Sequence, residues 1–231
     1  IDTAQAYHNE EGVDNTIRKS DIDCKEIFLV SKIWISNYGY KKVKASIDKS
    51  LDRLQTDHID LMLLISRSVT DTVHTALEKV YKEGKLRAIG VSNFYPDHFI
   101  YITNNMEIVP AVNQVETHVF NQQTEPQKSS ARAYVVETAH PGRNGFFTNS
   151  ILAEIGSKYG KSIVQIALRW LIQRGVIIIP KSIHIERMQQ NTDISNFELT
   201  DEDMATIATL DMGYSLFFDH YDAKTTHMFM E

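Results

Sequence analysis

The sequence has little cysteine, few long apolar runs and a deficit of positive charge, and each shortage excludes a class of protein. Its one cysteine, Cys24, cannot form an internal disulfide, which favours a reducing compartment. No apolar run reaches the roughly 18 residues that span a membrane. A net charge of -6 argues against binding to nucleic acid or to an anionic membrane. We therefore predict a cytoplasmic protein without nucleic-acid or membrane partners.

The composition is that of a globular domain. The 231 residues are 42% hydrophobic and 23% charged, which is enough for a substantial core. We predict a single domain over residues 1–231, a monomer, and no metal site. The chain opens on Ile1, without an initiator Met, in what reads as the end of a strand, and we interpret it as truncated at the N-terminus.

Short apolar runs alternate with amphipathic segments, which is the pattern of repeated βα units around a parallel sheet. The predicted strands are 1–4, 27–32, 59–65, 87–93, 111–116 and 176–182. The predicted helices are 10–19, 40–54, 75–83, 96–104, 151–159, 162–174, 185–191 and 200–210. In such folds the chemistry gathers at the C-terminal ends of the strands.

Three residues at strand ends form a candidate proton-donor group. Asp2 and Tyr7 lie at the C-terminal end of the first strand, and Lys32 ends the second. An ammonium group beside a phenol favours the phenolate, and a carboxylate would hold the ammonium in place. Such a tyrosine can act as a general acid near neutral pH. A salt bridge at a strand end beside an exposed tyrosine explains the same residues.

The spacing of these residues matches a known pattern. The segment D-T-A-x-x-Y at 2–7, followed by S-K-x-W at 31–34, resembles the aldo-keto reductases, above all their bacterial diketogulonate reductase-like members. The resemblance extends to about Phe218. It implies a (β/α)8 TIM barrel that binds NADPH and reduces small carbonyl compounds. It also implies catalytic roles for Asp2, Tyr7 and Lys32, a cofactor contact for Asp2, and a substrate-pocket role for Trp34. Because the opening stretch matches the family's second strand, the barrel is expected to lack its first βα unit.

Polar side chains end two further predicted strands. Ser92 and Asn93 close one strand, and Gln114 lies near the end of the next. These groups could hydrogen-bond an amide, although Ser-Asn is also a common turn pair. The resemblance implies that all three bind the nicotinamide carboxamide.

A basic cluster follows the last predicted strand. Lys181, Ser182 and Arg187 surround a helix start, which suits either an anion site or an exposed basic helix start. The resemblance implies that this cluster binds the 2′-phosphate of NADP, and it adds Gln190 and Asn191 as cofactor contacts. Family members usually have Glu where Gln190 stands. The Gly-rich segment 142–147 resembles a loop that closes over the cofactor in some bacterial members.

Two segments depart from the family pattern. A catalytic His is expected at the end of the fourth family strand in an L-x-x-H-x-P context, but here the strand continues into 66–70 with neither His nor Pro. The nearby His74 is left unassigned. Residues 129–141 offer no clear match to a family strand that carries an aromatic ring for the nicotinamide, although 134–139 still reads as a strand.

Shifted reading frames would explain both departures. Residues 64–76 can be encoded so that regrouping by one nucleotide gives H-Q-P-F-G-D-R-Y-G-A-Y-R, which restores H-x-P. Residues 134–139 regroup to M-S-W-R-P-L, a weaker match to the family's S-W-G-P-L type. Three hypotheses follow: a carbonyl reductase, a nucleotide-binding protein without turnover, and the non-functional product of a frameshifted gene.

Overall fold

The computed structural model describes residues 1–65, 71–124, 134–136 and 143–216. These residues fall into two compact units. The first unit spans Ile1–Asn113, and the second unit begins at Gln114. The predicted single domain stays a prediction.

The first unit is built from βα repeats. Its strands are β1 (Val30–Ile33), β2 (Ile59–Ile65) and β3 (Leu86–Ser92), and its helices are α1 (Glu10–Lys19), α2 (Tyr40–Leu54), α3 (Asp71–Lys82) and α4 (Pro96–Asn105). The strands pair in parallel in the order β1–β2–β3. Ahead of them, the Thr3 amide donates to the Val30 carbonyl at 2.9 Å, so the opening residues extend this sheet.

The two faces of this sheet are both apolar, as expected for strands covered on both sides. Val30, Leu61 and Leu63 form a small cluster on one face. The intervening residues, such as Met62 and Ile89, pack against the helices in the larger core. Lys32 has the same strand parity as Val30, so it lies on the face of the small cluster.

Gly90 lies where the strands leave no room for a side chain. A Cβ there would meet Leu63 Cδ2 at 2.5 Å and the Val112 carbonyl oxygen at 3.0 Å. We expect Gly90→Ala to lower the free energy of unfolding by about 1–3 kcal/mol through overpacking. Urea denaturation of the variant and the parent would measure this difference in the free energy of unfolding.

The matched control is Gly12→Ala. Gly12 is an exposed residue of α1, and a Cβ added there would have no neighbouring atom within 4 Å. This change should be neutral or stabilise by up to ~1 kcal/mol, because alanine is the better helix former. Equal stability of the Gly90→Ala protein and the parent would contradict the packing argument.

The second unit contains short strands and longer helices. The strand β4 (Asn113–Val115) leads into it, and β5 (Tyr134–Val136) pairs in parallel with β6 (Ile177–Ile178). The helices are α5 (Ser150–Tyr159), α6 (Ile163–Gln173), α7 (Ile185–Thr192) and α8 (Asp201–Ala208). Trp170, at 1% exposure, lies in the core of this unit. Thr200 caps the start of α8, since its side chain accepts a hydrogen bond from the Asp203 amide.

Most predicted elements are confirmed, but the predicted strand 1–4 is reduced to a single parallel bridge between Asp2 and Val30; the other differences are at element ends. α3 begins at Asp71 rather than at 75, and β1 begins three residues later than predicted, after the exposed Phe28. β6 is much shorter than the predicted 176–182, and Pro180, two residues beyond it, has no amide hydrogen with which to extend the pairing. Among the helices of the described ranges, none has the length and apolar character needed to cross a bilayer.

Candidate active site

A buried lysine–aspartate pair lies at the C-terminal end of the first strands. Lys32 is 3% exposed, and its Nζ donates to Asp2 Oδ1 and, at 3.1 Å, to the Thr3 carbonyl oxygen. A buried ammonium group is costly unless it is paired and hydrogen-bonded, and here it is both. The predicted pairing of Asp2 with Lys32 is therefore present in the structure.

Tyr7 lies beside this pair. It ends a short 3-10 helix, Gln5–Tyr7, and is 48% exposed. The Lys32 Nζ lies 5.2 Å from the centroid of the Tyr7 ring. The structure thus brings the acid, the phenol and the amine together, with the phenol open to solvent and the cation buried beneath it.

Gln5 holds this arrangement in place, and sequence analysis missed it. Its Nε2 donates to the Ser46 carbonyl oxygen and to Ser50 Oγ, both at 3.1 Å. Its Oε1 accepts from the Trp34 amide at 3.1 Å and from Asn37 Nδ2 at 2.8 Å. A single buried amide therefore ties the helix that carries Tyr7 to α2 and to the Trp34 segment. In the sequence, this role of Gln5 is indicated only by its position as a polar residue next to the end of a predicted strand.

The predicted amide-binding groups lie on β3, on the residue that follows it, and on β4. Ser92, at 3% exposure, ends β3, and Asn93 adopts the left-handed conformation at φ 59°. Asn113 closes the turn by bonding both the amide and the carbonyl of Phe94, at 3.4 and 2.7 Å. Gln114, in β4, is 3% exposed.

The family histidine has no counterpart in the described part of these strands. β2 ends at Ile65, and residues 66–70 lie outside the described residues. His74 lies in α3, is 5% exposed, and has its Nε2 3.3 Å from Asp71 Oδ1. It is a helix residue packed in the outer layer and not a strand-end group.

The predicted phosphate-binding residues surround a cavity of the second unit. The cavity has a volume of about 770 Å³. Its polar wall is formed by the predicted cofactor residues Lys181, Ser182, Arg187, Gln190 and Asn191. The Ser182 hydroxyl accepts from the His184 amide at 3.0 Å, which shapes the start of α7. All five residues of this predicted cluster therefore line the same cavity.

The other wall of this cavity is aromatic. Phe120, Phe146 and Phe147 line it, and their rings meet edge to face. Phe146 and Phe147 belong to the predicted cofactor loop, which forms a 3-10 helix over Arg143–Thr148. His118 also lines the cavity, and sequence analysis missed both it and Phe120.

Glu116 joins this wall to a later segment. It accepts from His118 Nε2 at 2.9 Å, from the Ser215 hydroxyl, and from the Leu216 amide at 2.9 Å. Burial alone would raise the pKa of Glu116, but these donors outweigh it, and the pKa lies below its usual range. The His118 Nδ1 accepts from the Phe120 amide at 3.1 Å, so its Nε2 carries the hydrogen donated to Glu116. Leu216 is thereby held against the cavity.

Comparison with known proteins gives a consistent result. The model of the aldo/keto reductase family matches residues 1–134 and 144–212. Glyoxal reductase of Bacillus subtilis is 42% identical over 214 residues, which cover 91% of this chain and 78% of that protein. Methylglyoxal reductase DkgA of Escherichia coli is 33% identical, over 94% of this chain and 81% of that protein.

Solved structures agree with these matches. The aldo-keto reductase MGS-M4 from a deep-sea metagenome has a TM-score of 0.92 and 38% identity, and the match covers 96% of this chain and 85% of that one. A Bombyx mori aldo-keto reductase, solved in complex with NADP, has a TM-score of 0.87 and 29% identity, with coverage of 98% and 81%.

The parallel βα repeats, with polar groups at the C-terminal ends of their strands, are those of the α/β-barrel class. The chain belongs to the aldo/keto reductase family. The predicted α/β class with (β/α)8 architecture is confirmed by the solved relatives. The roles of the individual site residues, the monomeric state and the cytoplasmic location stay predictions.

Proposed function

We propose that this protein reduces small aldehydes and ketones with NADPH, and that Tyr7 donates the proton. The observation that carries the proposal is the buried Asp2–Lys32 pair beneath the ring of an exposed tyrosine. When bound, NADPH supplies the hydride.

The residues of the first unit handle the proton. Tyr7 is 48% exposed, so a substrate can reach this side chain, and in this proposal its hydroxyl donates a proton to the carbonyl oxygen. Lys32 places a positive charge against the phenol as it loses the proton, and Asp2 keeps Lys32 in that position. Trp34, half-buried and held by Gln5, lines the substrate pocket.

The residues of the second unit suit the cofactor. Lys181 and Arg187 are the charged donors that a phosphate requires, and they share a cavity with aromatic rings. In this proposal Lys181, Ser182 and Arg187 bind the 2′-phosphate, and Gln190 and Asn191 contact the adenine. The family resemblance assigns the carboxamide of the nicotinamide to three other residues, Ser92, Asn93 and Gln114.

The missing histidine supports a second candidate function. β2 ends in the apolar Ile65, so the described strand end offers no donor to orient the carbonyl. We propose that the chain is a slower reductase than relatives that carry the histidine. Cofactor binding without any turnover would establish a nucleotide-binding protein instead. The nucleotide sequence of the gene separates both from a frameshifted product.

The cofactor assignment predicts a selective loss of affinity. The double change Lys181→Ala, Arg187→Ala should weaken NADPH binding by about 100-fold or more, because each hydrogen bond to a charged group contributes about 1.5–3 kcal/mol. NADH, which lacks the 2′-phosphate, should bind the variant and the parent alike. Titration of cofactor fluorescence would measure both.

Lys19→Ala is the control for a general charge effect, since Lys19 is an exposed lysine of the first unit. It should bind both cofactors as the parent does. An equal loss of NADPH and NADH affinity in the double variant would contradict a 2′-phosphate site.

A further inference from the structure

A second groove lies wholly within the first unit, beside the segment that carries Tyr7. It has a volume of about 590 Å³, a size that holds a small metabolite. Ala6, Ala45 and Ser46 line it, so small side chains leave its floor open. Trp34 forms part of its wall.

The walls of this groove are basic. Lys42, Lys49 and Arg53 line it from α2, where spacings of seven and eleven residues place them on one helix face. His8 lines the groove from the Tyr7 segment. No Asp or Glu is among the described residues that line it. The whole chain has a net charge of -6, so the positive charge of this groove differs from the average composition of the protein.

Only part of this charge is compensated inside the protein. Arg53 Nη1 lies 3.1 Å from Glu10 Oε2 and is neutralised there. Lys42 Nζ donates to the uncharged Ser36 carbonyl oxygen at 3.3 Å. Lys49 makes no hydrogen bond or ion pair within the part of the chain that the structure describes. Two ammonium groups therefore face the groove without a carboxylate partner.

Gln5 does not compete for a ligand, because both ends of its amide are already bonded within the protein. A ligand in the groove would instead meet two lysines, a histidine and an indole ring. Ammonium groups as point charges and an aromatic wall suit an organic anion. Among the described residues, no carboxylate lines the groove to attract a cation against these positive charges.

We propose that this groove binds the carboxylate or phosphate group of a small organic anion. The groove includes Ala6 and His8, which flank Tyr7, so an occupant contacts the segment that presents the phenol. The binding itself does not depend on turnover or on NADPH.

The test uses the fluorescence of Trp34. The chain has two tryptophans, and Trp170 is only 1% exposed within the core of the second unit. Citrate and inorganic phosphate, each titrated at constant ionic strength, should change the emission saturably. The change should be absent in Trp34→Phe, which assigns the signal to the groove.

Variants of α2 then test the charges. Lys42→Ala and Lys49→Ala should each raise the half-saturating anion concentration about two- to fivefold, the range for an exposed ion pair. Lys41→Ala is the matched control, because Lys41 is exposed on the same helix and does not line the groove. Lys181→Ala controls for anion binding in the second unit. Both controls should leave the half-saturation unchanged.

Kinetics identify the source of the anionic group. A rise of KM for a carboxylated aldehyde in Lys49→Ala, with no rise for a neutral aldehyde of equal length, means that the groove takes the substrate's own acidic group. Unchanged KM values with weakened citrate binding mean a separate ligand. Either result supports an anion site in the groove. A titration without saturation, or an equal effect of Lys41→Ala and Lys49→Ala, would overturn this proposal whether or not the chain turns over.

Discussion

Replacing Tyr7 with phenylalanine should lower kcat for the reduction of a small aldehyde by about 10²–10⁴-fold, the usual contribution of a positioned general acid. The phenylalanine ring keeps the contact with Lys32, whose Nζ lies 5.2 Å from the ring centroid, and removes only the hydroxyl. The Kd for NADPH should therefore stay within about twofold of the parent, because the lost group acts in the chemical step. Steady-state oxidation of NADPH and a cofactor titration measure the two quantities.

Tyr40→Phe is the matched control. Tyr40 is 41% exposed, which is close to Tyr7, and it lies in the same unit at the start of α2. We expect this change to leave kcat unaltered. Equal turnover by the Tyr7→Phe protein and the parent would show that Tyr7 is not the proton donor.

Replacing Ile65 with histidine should raise kcat/KM of the chain by about 10²–10³-fold, the range measured when a donor that stabilises a developing oxyanion is removed or supplied. In the regrouped codons the restored His falls at this position. Ile65 is the last residue of β2, pairs in register with Ser92, and has the strand parity of Leu63. The new imidazole would therefore lie on the same sheet face and at the same edge as Lys32.

We expect position 65 to accommodate a histidine. The Ile65 side chain is only partly buried, so a polar ring there retains access to water. The Tyr38 hydroxyl donates to the Ile65 carbonyl oxygen, a backbone contact that does not depend on the side chain. Burial raises the pKa of Tyr38 above its usual range, so that donor stays protonated throughout the working pH range.

Ile65→Phe separates ring size from hydrogen bonding. Phenylalanine brings a ring of similar size without a nitrogen, and we expect no gain in kcat/KM from it. A histidine variant that turns over no faster than the phenylalanine variant would count against a role for this strand end. Sequencing of the gene tests the frame hypothesis separately, since it reads the codons of residues 64–76 directly.

The local elements of this protein follow from its sequence. α1, α2 and β2 have their predicted bounds, because amphipathic periodicity and continuous apolar runs are local signals. The candidate catalytic residues could also be chosen from the sequence, since the ends of parallel strands meet at one edge of the sheet regardless of the loop conformations. β6 was overestimated because an apolar run does not show where sheet pairing stops.

Only the tertiary structure decided which distant residues meet. Gln5 bonds residues 29 to 45 positions away, and Glu116 bonds Leu216 100 positions away. No periodicity records such pairs, because each depends on how separate elements pack. The basic groove has the same origin: the predicted helix 40–54 carries Lys42 and Lys49, but only the packing of that helix beside the Tyr7 segment brings them to one groove.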